Sequence, residues 1–126
     1  MSGDPFRSLP LNTGLILNYF DQSKKIAADS WYVCIWVEIE IPVNKKWFGN
    51  YHLDDMKFDK IRQALGDRVC FRHKNERNFV SNHDKERIVN DICDRVAKMG
   101  TTYFCHPDFA AKYILKCFND KINRRY

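Results

Sequence analysis

Glu38 and Glu40 stand two residues apart, a spacing that puts both carboxylates on one face of an extended segment. At roughly 7 Å separation two acids can share a metal ion or divide acid and base roles. A metal-dependent hydrolase using Glu38 and Glu40 is therefore one reading, and it requires a cleft over that end of the strand. The triplet Asp55-Met56-Lys57 is only a loose echo of a nuclease signature, because Asp54 or Asp55 stands where a helix needs its N-cap. No G-x-S-x-G, H-E-x-x-H or glycine-rich phosphate loop occurs, so no catalytic residue is assigned and no cofactor is expected. The five cysteines (Cys34, Cys70, Cys93, Cys105 and Cys117) are odd in number and never form C-x-x-C, which argues for free thiols. Cys70 and His73 are three apart on a strand and face opposite ways, and Cys93 and Cys117 lie on apolar helical stripes. No metal site is expected.

A second chemistry is carried by cations set among aromatics. Lys45, Lys46 and Trp47 open a segment that runs through Phe48 and Tyr51 to His52. A loop of this kind can neutralise phosphates and stack bases, at about 1 to 3 kcal/mol per base. The competing reading is that Trp47 and Phe48 fold back over the open end of a core. Arg68, Arg72, Lys74 and Arg77 form a further basic group, with Arg68 and Arg72 on one strand face. They could follow a phosphate backbone, or pair across strands with Glu38 and Glu40 as ordinary surface ion pairs. The segment from Arg68 to His73 lacks the glycine and aromatic spacing of an RNA-recognition signature, and no helix pair reads as a helix-turn-helix.

The charge balance leans the same way. Lys and Arg number 21 against 16 Asp and Glu, and the whole excess of +5 lies after residue 63. Such asymmetry points to an anionic partner. The candidate partners are nucleic acid, another protein or a second copy of the chain. There is no apolar run of membrane-spanning length and no basic start followed by an apolar stretch, so the expectation is a soluble cytoplasmic protein with no membrane partner.

The elements that must position these residues follow from periodicity. Residues 1–13, with Pro5 and Pro10, read as a flexible leader before a single domain over 14–126. Leu15 to Phe20 reads as a strand. From Trp31 to Val43 every odd position is apolar, which predicts a long strand with one face on a core and an exit at Pro42. Phe58, Ile61 and Leu65 predict a helix stopped by Gly66. Arg68 to His73 and Asn78 to Val80 suggest a hairpin turning at Lys74 to Arg77. Ser81 or Asn82 can cap a helix from about residue 83 to Met99, ended by Gly100. Thr101 to Cys105 suggests a short strand, and Pro107 opens a third helix. This order predicts an α+β domain: a mainly antiparallel sheet of three to five strands with three helices packed on one face. The leading functional expectation is a small binding module without catalytic activity, directed at nucleic acid through its basic and aromatic surface. A protein-interaction module or homo-oligomeric structural domain is the alternative.

Overall fold

The computed structural model describes residues 4–49 and 51–123. Unbroken apolar alternation produces the thirteen-residue central strand β4, Ser30–Pro42, whose Val33, Ile35, Val37, Ile39 and Ile41 are buried. Strands β2, Ile16–Asp21, and β3, Lys24–Ala27, pair antiparallel with the same edge of β4 in continuous register, Leu17 opposite Ile39 and Lys24 opposite Tyr32. They are one arm interrupted at Gln22 and Ser23. The break is satisfied there, because Gln22 N–H donates to Cys34 O (2.8 Å) and Cys34 N–H donates to Ser23 Oγ (3.1 Å).

Strand β1, Arg7–Pro10, pairs with β2, and β5, Arg68–Ser81, runs along the whole opposite edge of β4. The result is a five-stranded antiparallel sheet. A 3-10 turn, Lys45–Phe48, leads to α1, Asp55–Leu65, where Asp54 caps the helix by accepting from Lys57 N–H (2.7 Å). Gly66 ends α1 at φ 81°, as the C-terminal glycine position requires. Helices α2, Lys85–Thr102, and α3, Phe109–Asn123, complete the layer over the odd face of β4. The architecture is a single α+β domain with one core between sheet and helices. No helix among the described residues is long and apolar enough to cross a membrane.

Four expectations meet a different outcome. The hairpin is absent: Lys74 to Arg77 continue β5, because β4 offers a partner for every residue from Arg68 to Arg77 and no glycine forces a turn. Gly100 does not stop α2 but lies buried inside it, facing Leu9 and Leu11. Thr101 and Thr102 belong to that helix, and Tyr103 to Cys105 form turns in place of a strand. Within the segment expected as a leader, Arg7–Pro10 is β1 and Leu11 is buried; residues 1–3 lie outside the described residues. Pro10 is tolerated there because β1 is an edge strand.

Candidate functional site

Helices cover one side of the sheet and leave the other bare. Tyr32, Trp36, Glu38 and Glu40 of β4 stand on the bare face beside Arg68, Cys70, Arg72, Lys74 and Glu76 of β5, because the antiparallel register sets Glu38 opposite Arg72 and Trp36 opposite Lys74. The charges there are matched one to one. Arg72 Nε lies 2.9 Å from Glu38 Oε1, Arg68 lies 3.3 Å from Glu40, and Lys74 lies 3.5 Å from Glu76. Glu38 is the most enclosed of these acids, with its side chain 12% exposed against 63% for Glu40. Tyr32 donates a hydrogen bond to Glu76, which holds that carboxyl below its ordinary range and pushes the Tyr32 hydroxyl above its own. Burial raises the Cys70 thiol despite the neighbouring Arg72.

The loop residues separate. Lys45 is ion-paired with Asp55, and the ammonium of Lys46 lies 4.7 Å from the centre of the Trp47 ring. Trp47 is half-buried against the core, with its indole N–H donated to Pro42 O (2.9 Å), while Phe48 is fully in the core. The fold-back reading of these two aromatics therefore describes their placement. A cleft of about 280 Å³ opens beside them, lined by Thr13, Asn18, Glu40, Lys46 and Trp47 among others. Glu40 faces it, whereas Glu38 is turned to Arg72 and does not line it. Among the described residues no three His, Cys, Asp or Glu side chains gather as a metal would require, and the five cysteines are unpaired.

Sequence reasoning missed two features. The first is the outer edge of β5, which has no strand on its far side among the described residues. Asp67 O accepts from Val43 N–H, so odd residues of this segment turn their backbone groups toward β4 and even residues turn theirs outward. Cys70 agrees with this, since its carbonyl accepts from the Tyr113 hydroxyl of α3 (3.1 Å). Arg72, Lys74 and Glu76 thus present outward N–H and C=O groups; the Glu76 carbonyl accepts from Arg77 Nη1 (2.8 Å), and the others bond to nothing among the described residues. Nearby, two residues of β5, Asn78 and Phe79, oppose the single Tyr32, and this bulge holds Phe79 at φ 57° with its ring 82% exposed. A long charged strand ending in an aromatic was the available signal, and the hairpin reading concealed it. The second feature is an aromatic cleft of about 290 Å³ on the helical side, where Tyr103, Phe109 and Tyr113 meet His106, Lys112 and Lys116.

Comparison with protein-family models, with curated proteins and with solved structures finds no match to this chain.

Proposed function

We propose that the chain is a non-catalytic binding module that takes an extended protein segment along the outer edge of β5. The observation that carries this reading is the row of outward backbone groups on Arg72, Lys74 and Glu76, beside the exposed ring of Phe79. Strand addition uses such a row for affinity and the alternate side chains for specificity. A protein partner is favoured over nucleic acid because Lys45, Arg68, Arg72 and Lys74 each have a carboxylate already. Glu38, Glu40 and Glu76 on the same face would also repel phosphate. Arg77, which donates to Glu76 O, is the member of the Arg68, Arg72, Lys74 and Arg77 group without an acid among the described residues.

The test uses short extended peptides carrying alternating Lys and Glu, with amide hydrogen exchange as the readout. Binding is expected to slow exchange at Arg72, Lys74 and Glu76. Lys74→Pro is expected to abolish it while leaving the circular dichroism intact, because the lost N–H faces outward and not β4. Absence of protection, together with retention of oligonucleotides that falls steeply with salt, would return the surface to nucleic acid.

A further inference from the structure

We infer that the free edge of β5 pairs antiparallel with the same edge of a second copy of this chain, with Asn75 facing Asn75 across the two-fold axis. This rests on the strand-edge reading above and names its partner. Tyr113 closes the edge at Cys70, and the bulge at Asn78 and Phe79 ends regular strand at the other side. The accessible stretch therefore runs from Arg72 to Asn78, and Asn75 is its midpoint. An isologous pair must centre on one residue of such a stretch.

Charge then selects the register. Centred on Asn75, Lys74 faces Glu76 of the copy and Glu76 faces its Lys74, so the four side chains form a square of alternating sign on the bare face. Centring on Lys74 sets lysine on lysine, centring on Glu76 sets glutamate on glutamate, and centring on His73 sets Arg72 against Lys74. Charges along a sheet edge normally repel an added strand. Here they admit one arrangement and oppose its neighbours.

The backbone agrees. Lys74 and Glu76 both point outward, so each facing pair can exchange two hydrogen bonds, the Glu76 carbonyl using the lone pair that Arg77 Nη1 leaves it, and Asn75 becomes the closely spaced, non-bonded pair between them. The Asn75 Nδ2, which is without a hydrogen-bond partner among the described residues, then has an amide directly opposite. The same register carries Phe79 toward the copy's Phe71, which is packed within 5.4 Å of Phe104, Phe109 and Tyr113.

Sedimentation velocity across a concentration series at low salt tests this. The chain is expected to dimerise reversibly, Lys74→Glu to weaken the dimer about tenfold or more, and Lys74→Glu with Glu76→Lys to restore most of the loss. Asn75→Cys is expected to give, on mild oxidation, a disulfide linking the two 75 positions, located by mass spectrometry. A monomer at every concentration, a dimer indifferent to these charges, or a dimer without the 75–75 link would overturn the inference. Peptide protection of the edge in a strictly monomeric chain would overturn self-pairing alone. No protection of that edge by peptide or by a second copy would overturn the strand-edge reading as well.

Discussion

Phe79 combines a left-handed backbone with a ring that buries almost nothing. For a residue with a full side chain that conformation costs about 1 to 2 kcal/mol, and such outliers persist where the side chain has a use. Phe79→Gly is therefore expected to leave stability unchanged or raise it by about 1 kcal/mol in urea unfolding while weakening edge binding. A loss of stability would mean that the ring packs in the free chain. Glu38 and Glu40 differ in the same experiment. Arg72→Ala strands a carboxylate that is largely enclosed and is expected to cost about 1 to 3 kcal/mol, much of it recovered by adding Glu38→Gln. Arg68→Ala releases an exposed Glu40 and should cost less than about 0.5 kcal/mol. Glu76 supplies a pH signature: its folded pKa is depressed by the Tyr32 hydrogen bond, so the stabilisation is present at neutral pH and lost as pH falls through that depressed value. In Tyr32→Phe, an NMR titration should show Glu76 returning toward the usual carboxylate range.

Strand β4 could be read from the sequence because one face is apolar without exception, and the same regularity predicts that Ile35→Ala costs about 2 to 5 kcal/mol. A loss below about 0.5 kcal/mol would contradict its place in the core. The helices α1 and α3 were legible for a similar reason, their stripes and boundary residues agreeing. Strand β5 was not, because it is a sheet edge: His73, Asn75 and Arg77 lie on its helix-side face where cover runs out, so alternation fades and polar residues imitate a turn. Pairing across a sheet is a non-local fact, and the match of Arg68 and Arg72 with Glu40 and Glu38 could be foreseen only as an option. Gly100 misled in the opposite direction. It looks like a helix stop, yet a Cβ there would meet Leu11 Cδ2 at 3.4 Å and Leu9 Cδ2 at 3.7 Å, so the glycine lets α2 approach the β1 end. Gly100→Ala should be tolerated, whereas Gly100→Leu should cost about 1 to 3 kcal/mol by displacing Leu9 and Leu11. Thermal melts of the two variants separate close packing from helix termination.

At the scale of the whole molecule, the excess of +5 is a poor guide to the working surface, because the largest cluster of cations sits among acids that match it. The bare sheet face is a lattice of alternating charge, and a surface of that kind selects partners by register more than by net attraction. The side of the molecule near Trp47 carries the competing reading and supplies the contrast. Trp47 is tied to Pro42 by its indole N–H, packs on the core and is covered by the Lys46 ammonium, which leaves little ring for stacking on a base. Trp47→Ala should therefore lower unfolding stability by roughly 1 to 3 kcal/mol, the scale of a lost partly buried aromatic. It should leave both edge pairing and any retention of single-stranded oligonucleotides unchanged. If that substitution instead spares stability and removes oligonucleotide binding with little change in its salt dependence, the ring stacks on bases and the cleft beside Glu40 is the site.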